Sequence, residues 1–159
     1  MGKYQSFATR GGQITLGLQA AMIAAVSAKE AELRKLTESN EVFATLDKNQ
    51  VSITARGLGE YRKIGHFSME QLPGCCGIVV SYHSAIETQF RGLGIGKLFL
   101  EIREDAARRA GYTVILATVV HGNEAEVGLL KQAGWSVSPP LFVNKRTKNA
   151  IALYTKELK

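Results

Sequence analysis

Three glycines at alternate positions, Gly92, Gly94 and Gly96, join a segment typical of a β-strand to a segment typical of an α-helix. Residues 77–86 are rich in β-branched and aromatic side chains, which suit a half-buried strand. Downstream, apolar residues recur at helical spacing, with the charged residues of the segment elsewhere on the helix: Ile95, Leu98, Phe99, Ile102, Ala106 and Ala110 against Glu101, Glu104, Asp105, Arg108 and Arg109. The pattern predicts a strand, a glycine-rich turn and a helix.

A turn of this kind is suited to binding an anion. The backbone N–H groups at the start of a helix lie at the positive end of its dipole, and glycines let a ligand approach the backbone closely. Two known phosphate motifs are excluded. The P-loop requires a glycine where this chain has Arg91 and a Ser or Thr where it has Leu98. The dinucleotide fingerprint requires a sixth-position glycine, and that position holds Lys97 or Phe99.

A second strand and helix follow the first pair. Val114–Val120 is an apolar run typical of a buried strand, and residues 123–133 have a helical pattern that ends at Gly134 and Trp135. The remaining chain predicts early helices up to residues 39–40 with a break near Ser27, several strands, a loop and a final hairpin. In the first half, a strand is expected at 4–9, the first helix begins at Gln13 or Thr15, and further strands lie at 43–46 and 51–55. The segment 61–67 is an ambiguous strand, and 69–74 is expected to be a loop. The final hairpin pairs 141–144 with 150–155.

The two motifs together resemble those of the GNAT superfamily of acyl-CoA-dependent N-acyltransferases. Arg91, Gly94 and Gly96 match its pyrophosphate-binding pattern Arg-x-x-Gly-x-Gly. A second signature is matched, in the right order and separation, by Asn123, Leu129, Leu130, Gly134 and Trp135. The resemblance covers the region from about residue 77 to the end of the sequence. It implies an α+β fold with a mixed, mostly antiparallel central sheet flanked by helices, in one domain over residues 1–159.

The resemblance also implies a site for acetyl-CoA as the donor. The backbone N–H groups of residues 92–97 would bind the pyrophosphate, the pantetheine arm would run between the family's fourth and fifth strands, and Asn123 would help to hold it. Asn123 is equally suited to capping the following helix. The expected binding residues are Ile86, Glu87, Thr88, Arg91, Gly92, Leu93, Gly94, Ile95, Gly96, Lys97 and Asn123. No metal is expected.

The catalytic groups of the family are only partly matched. Many members protonate the departing thiolate with a tyrosine, and that position holds Leu130 here. Many also use a glutamate on the fourth strand, yet no carboxylate lies between Gln71 and Ile86. The nearest titratable candidates are His83 and Tyr82, and the ordinary pKa of histidine suits a general base. A histidine in a strand also commonly has a structural role.

Charge and cysteine content constrain the partners and the compartment. The formal net charge is +6, and residues 88–159 carry 11 Lys/Arg against 6 Asp/Glu, which favours a polyanionic ligand such as coenzyme A. Nucleic acid is disfavoured because no known binding motif is present. Cys75 and Cys76 are adjacent and cannot join distant segments, which favours a reducing, cytoplasmic compartment. The apolar run 14–26 imitates a secretory signal but continues into an amphipathic helix, and no membrane span is expected.

Two functions remain open from the sequence. The first is an N-acetyltransferase that transfers an acetyl group to an amine of a small molecule or a protein by direct attack. The second is a GNAT-like module that binds acyl-CoA and acts as a sensor or interaction domain, with little or no catalysis. The acceptor is open, and a cluster of acidic residues on the early helices is one candidate site for it: Glu30, Glu32, Glu38 and Glu41. A homodimer is compatible with the sequence.

Overall fold

The computed structural model describes Thr9–Arg10, Gln13–Ile14 and residues 16–159. A two-stranded hairpin, β1 (Thr9–Arg10) with β2 (Gln13–Ile14), precedes the main body. The main body contains, in chain order, α1 (Leu18–Ala28), α2 (Glu30–Thr37), β3 (Glu41–Asp47), β4 (Gln50–Gly57), β5 (Glu60–Gln71), β6 (Ile78–Ile86), a 3-10 turn (Thr88–Phe90), α3 (Ile95–Arg109), β7 (Val114–Val120), α4 (Glu124–Gln132), β8 (Ser136–Val137), β9 (Phe142–Val143) and β10 (Ala150–Glu157).

One large sheet organises the main body. Its strand order is β3-β4-β5-β6-β7-β10-β8, with β9 also paired to β10. Every pairing in it is antiparallel except that of β6 with β7, which α3 connects. A parallel pair requires such a crossover, because the chain must return to the same end of the sheet. The predicted α+β class, with a mixed and mostly antiparallel sheet, is confirmed.

The core lies where α1 and α3 cover the sheet. The predicted apolar face of α3 is buried, and Phe99 on this helix meets Phe67 on β5 edge to face, with ring centroids 6.1 Å apart. The helix ends as expected, because Gly111 has a φ of +82°, which glycine adopts without strain. α3 therefore packs its apolar face on the sheet and ends shortly before β7.

A buried carboxylate links α3 to the end of α4 and to β10. Glu104 is only 7% exposed, and the expectation that it lies away from the buried face of α3 is wrong. Trp135 Nε1 donates to its carboxylate at 2.8 Å, and Lys156 Nζ lies 2.9 and 3.0 Å from its two oxygens. Lys156 also donates to the Ala133 carbonyl at 2.7 Å. These partners satisfy the charge that burial would otherwise penalise.

Several boundaries differ from the sequence expectations. The loop predicted at 69–74 is partly wrong, because β5 continues to Gln71, where Met69 is fully buried and pairs with Ser81. The predicted helix start at Gln13 or Thr15 is also wrong, since Gln13–Ile14 is a strand and α1 begins at Leu18. The predicted strand at 4–9 lies outside the described residues except for Thr9. The short strand β8 was not expected.

Candidate functional site

The sheet opens between β6 and β7. Their parallel pairing runs from Ile78 opposite Val114 to Ser81 opposite Ala117 and then stops, although both strands continue. A bulge in β6 accompanies the opening, because His83 and Ser84 together face a single residue of β5. His83 has a φ of +50° there. A bulge bends a strand and leaves backbone groups unpaired, so the opening gives the sheet a cleft lined by main chain.

Two neighbouring cavities occupy this cleft. One of about 360 Å³ lies between the end of β6, the start of α3 and α4. The other, of about 280 Å³, lies beyond it among β6, β7 and the turn that precedes β10. Four residues line both cavities: Ser84, Arg103, Asn123 and Glu126. The cavities thus form one path from the glycine turn to the bulge.

The glycine turn forms the entrance to this path. Gly92 and Gly94 have φ values of +76° and +85°, and no acidic residue lies in the first turn of α3. The six consecutive backbone N–H groups from Gly92 to Lys97 donate no hydrogen bond to any described residue. Unpaired N–H groups at a helix start are the elements of a phosphate site.

Gly96 is required for a different reason. A Cβ atom at this position would lie 3.0 Å from Leu129 Cδ1 and 3.6 Å from Ile86 Cδ1. The absence of a side chain therefore lets α3 approach α4 and the end of β6 closely. Of the three glycines, two provide the turn and the third brings together the walls of the 360 Å³ cavity.

The main chain at three of the expected binding residues, Ile86, Glu87 and Thr88, already makes hydrogen bonds within the protein. Arg91 Nε donates to the Ile86 carbonyl at 3.0 Å, and the Glu87 N–H donates to the Ile64 carbonyl at 2.8 Å. Thr88 begins the 3-10 turn, whose last hydrogen bond runs from Arg91 N to the Thr88 carbonyl. Arg91 therefore joins the turn to the end of β6, and its guanidinium lies at the side of the cleft.

The other expected donor-site residues fall on or beside this path. Asn123 caps α4, because its side-chain oxygen accepts from the Glu126 N–H at 3.3 Å, and it also lines both cavities. Ile95 is buried and contributes only its backbone, whereas Leu93 is 45% exposed. Lys97 is exposed and lines a separate groove of about 420 Å³ between α3 and α4.

The two expected catalytic residues line the 280 Å³ cavity. Tyr82 and His83 contact each other edge to face at 4.9 Å between ring centroids. The Tyr82 hydroxyl donates to Glu70 Oε2 at 3.0 Å. Burial raises the pKa of Tyr82, and the hydrogen bond to Glu70 raises it further, so the phenol stays protonated. His83 is exposed to solvent at the bulge. Sequence reasoning missed Glu70 because it lies on the neighbouring strand.

Arg103 is the most unusual residue in the cleft, and sequence reasoning missed it. It is 2% exposed, and its Nε, Nη1 and Nη2 atoms donate to the Phe99 carbonyl at 3.3 Å, Ser81 Oγ at 3.0 Å and Glu126 Oε1 at 3.3 Å. Burial lowers the pKa of Arg103 and Glu126 raises it, but a guanidinium stays charged in proteins. The available signal was its spacing, because Arg103 follows the buried Phe99 by four residues.

Other candidate positions lie apart from the cleft. Leu130, at the position of the family's tyrosine, is fully buried in the core. Of the acidic residues expected on the early helices, Glu32 lies near α3, because Lys29 Nζ contacts both Glu32 and Glu101. The expectation that Glu41 is helical is wrong, since Glu41 begins β3, which β4 and β5 separate from β6. Within the described residues there is no cluster of side chains suited to holding a metal ion, and no helix there combines the length and apolarity needed to cross a membrane.

A family model for GNAT acetyltransferases matches residues 26–135, which include both motifs and the strands β6 and β7 that border the cleft. This chain belongs to the GNAT acetyltransferase family. The donor of this family is acetyl-CoA. No curated protein matched the sequence.

Solved structures of acetyltransferases share the fold at low sequence identity. YncA from Salmonella typhimurium, solved with its cofactor acetyl-CoA, is 18% identical, with a TM-score of 0.55 over 86% of this chain and 73% of that one. A GNAT acetyltransferase from Streptococcus pneumoniae is 16% identical, with a TM-score of 0.55 over 91% and 97%. The spermidine/spermine N-acetyltransferase SpeG from Vibrio cholerae is 13% identical, with a TM-score of 0.55 over 70% and 69%. The predicted GNAT fold is confirmed.

Proposed function

We propose that this protein is an N-acetyltransferase that transfers the acetyl group of acetyl-CoA to an amine of a small molecule or a protein. The observation that carries the proposal is the row of six unpaired N–H groups at residues 92–97, which begins a path that ends at the bulge in β6. A pyrophosphate bound at the turn and a thioester at the bulge fit the two ends of this path. The two adjacent cysteines are free, which fits a cytoplasmic protein.

The chemistry requires two functions from the protein beyond binding. The attacking amine must lose a proton, and the thioester carbonyl must be polarised as the amine adds to it. We propose that His83 accepts this proton, because it is exposed in the cavity that the amine must enter. Unpaired backbone N–H groups near the bulge would polarise the carbonyl. Tyr82, held by Glu70, would position the imidazole through their ring contact.

Donor binding can be tested at the glycine turn with a matched control. In Gly94→Val, a β-branched side chain meets both a positive φ and the proposed phosphate position. In Gly74→Val, a glycine of similar φ, +76°, is replaced in a loop away from the cleft. Both variants carry comparable strain, so only Gly94→Val should lose the thermal shift and calorimetric binding of acetyl-CoA. Equal affinity in both variants would contradict the site.

The role of His83 can be tested separately. Asparagine tolerates the left-handed backbone that His83 adopts, so His83→Asn removes the imidazole at small conformational cost. His121→Asn, outside both cavities, is the control. We expect His83→Asn to lower kcat by about 100-fold or more with little change in acetyl-CoA affinity. An unchanged pH-rate profile in His83→Asn would remove the histidine from the mechanism.

One observation favours the second candidate, a module that binds acyl-CoA without catalysis. The position of the family's catalytic tyrosine holds a buried leucine, Leu130, and β6 carries no carboxylate. Measuring free thiol from acetyl-CoA with a panel of amines separates the two functions. Binding without amine-dependent thiol release would favour the module.

A further inference from the structure

Arg103 places a buried positive charge at the point where β6 and β7 separate. Ser81, which its Nη1 contacts, is the last residue of β6 that pairs with β7. Arg103 also lines both cavities of the cleft. A charge at this position is costly to bury unless polar or charged groups surround it.

The guanidinium retains unused hydrogen-bonding capacity. It has five N–H donors, and three of them are taken by Phe99, Ser81 and Glu126. The other two, one on each Nη atom, donate to no described residue. Because the side chain is 2% exposed, bulk water satisfies them poorly. Two free donors on a fixed cation suit a ligand atom that carries or develops negative charge.

The reaction proposed above develops such a charge. The amine nitrogen bonds to the carbonyl carbon, the C–S bond breaks, and its electron pair goes to sulfur as the CoA thiolate. One proton leaves the ammonium through the base before attack, a second leaves the nitrogen for solvent as the amide forms, and the thiolate takes a proton from solvent after release. Leu130 offers no acid for this step, because its side chain is apolar and lies in the core.

We propose that Arg103 is a catalytic residue whose free N–H groups stabilise the CoA thiolate as it departs. This inference rests on the acetyltransferase function proposed above. Ser81 and Glu126 position the guanidinium from two sides, one on β6 and one on α4. The cation thereby takes over a function that many relatives assign to a proton donor.

The partners of Arg103 dictate how the test is designed. Removing one member of a buried ion pair leaves an uncompensated charge and destabilises the fold, whereas removing both is commonly tolerated. The comparison uses Glu126→Gln, which keeps the cation and accepts this cost because Glu126 is 25% exposed and its replacement stays polar, and the double variant Arg103→Met/Glu126→Gln, which lacks the cation. Glutamine can still accept the hydrogen bond from Nη2. Melting curves with and without CoA establish that each variant folds and binds.

The first measurement is the pKa of the CoA thiol in the bound state, which is determined from the short-wavelength ultraviolet absorbance of the thiolate as the pH is raised. We expect it to be lower in Glu126→Gln than in the double variant by about 1–3 units, because a cation close to sulfur favours the thiolate. Wild type should lie between the two, since Glu126 partly offsets the cation. Equal thiol pKa values in the two variants would overturn the proposal.

The second measurement compares leaving groups. With acetyl-CoA the double variant should lose at least about tenfold in kcat relative to Glu126→Gln, with similar KM. With 4-nitrophenyl thioacetate, whose thiolate leaves without assistance, the loss should largely disappear. Equal losses with both donors would indicate a structural role and refute the assignment. If wild type binds acetyl-CoA but transfers to no amine, the proposed function and the catalytic role of Arg103 both fail, whereas equal thiol pKa values in an active enzyme overturn the role of Arg103 alone.

Discussion

The buried contact between Lys156 and Glu104 allows a quantitative test of how the site is supported. Lys156→Met keeps the apolar stem of the side chain and removes the ammonium that lies 2.9 and 3.0 Å from the two carboxylate oxygens. The change also leaves the Ala133 carbonyl at the end of α4 without this donor. Since Glu104 joins α3, the end of α4 and β10, removing this ammonium should weaken the contacts among these three elements.

The magnitude follows from what remains around Glu104. Breaking a buried ion pair costs about 3–5 kcal/mol when the remaining charge is uncompensated. Trp135 still donates to the carboxylate, and Arg108 lies 3.3 Å away, but the Arg108 side chain is 41% exposed and adds about 1 kcal/mol at most. Lys156 itself is 22% exposed, so water replaces part of its contribution. We expect the free energy of unfolding to fall by about 2–4 kcal/mol.

Urea unfolding followed by tryptophan fluorescence measures this directly, because Trp135 is the only tryptophan and contacts Glu104. Lys145→Met, in an exposed turn, is the control and should change stability by less than about 0.5 kcal/mol. The double variant Lys156→Met/Glu104→Gln, which leaves no unpaired charge, should be more stable than Lys156→Met alone. A single variant as stable as the control, or a double variant less stable than the single, would refute the reasoning.

Three further predictions concern the site and its surroundings. Asn123→Ala should lower the free energy of unfolding by about 1 kcal/mol, whereas Asn123→Ser should lower it less, because serine also caps helices. If both variants bind acetyl-CoA more weakly than wild type, the Asn123 amide contacts the ligand. Gly96→Ala should destabilise the protein by about 1 kcal/mol, because the new Cβ atom would contact Leu129. Gly128→Ala should stabilise it, because the Cβ atom at this position of α4 meets no neighbouring atom. Equal changes in the denaturation midpoint of the two variants would contradict this explanation. Burial and Lys63 lower the pKa of His66, whose Nδ1 is buried without a described partner. As the pH falls, the unfolded chain therefore binds a proton at this histidine before the folded protein does, and stability should decline below about pH 6.5. In thermal melts at a series of pH values, His66→Gln should make that decline smaller.

The motifs predicted the fold because local pattern and backbone requirements coincide in them. The run Val114–Val120 is a strand over the predicted range, because its β-branched and apolar residues suit an extended chain that buries alternate side chains. The positive φ values of Gly94 and Gly111 match the helix start and end that their positions predict. Here the sequence signal is local, so these elements can be predicted from their own residues without knowledge of the rest of the fold.

The interior of the cleft was less predictable because it depends on contacts between distant segments. Arg103 and Glu126 are 23 residues apart, and neither attracts attention until α3 and α4 are seen side by side. Glu70 likewise gains meaning only when β5 places it beside Tyr82. The expectation about Glu104 failed for the same reason. A charged residue on a helix is predicted to be exposed, and the partners that allow Glu104 to be buried, Trp135 and Lys156, are distant in the sequence.

The most direct test of the whole account is amine-dependent release of CoA thiol from acetyl-CoA by the wild-type protein, with acetylated product measured in the same samples by mass spectrometry. We expect thiol and acetylated amine to appear in equal amounts for at least one class of amine, and both to vanish in Gly94→Val but not in Gly74→Val. Binding of acetyl-CoA without transfer to any amine in a broad panel, or transfer unaffected by Gly94→Val, would contradict the account.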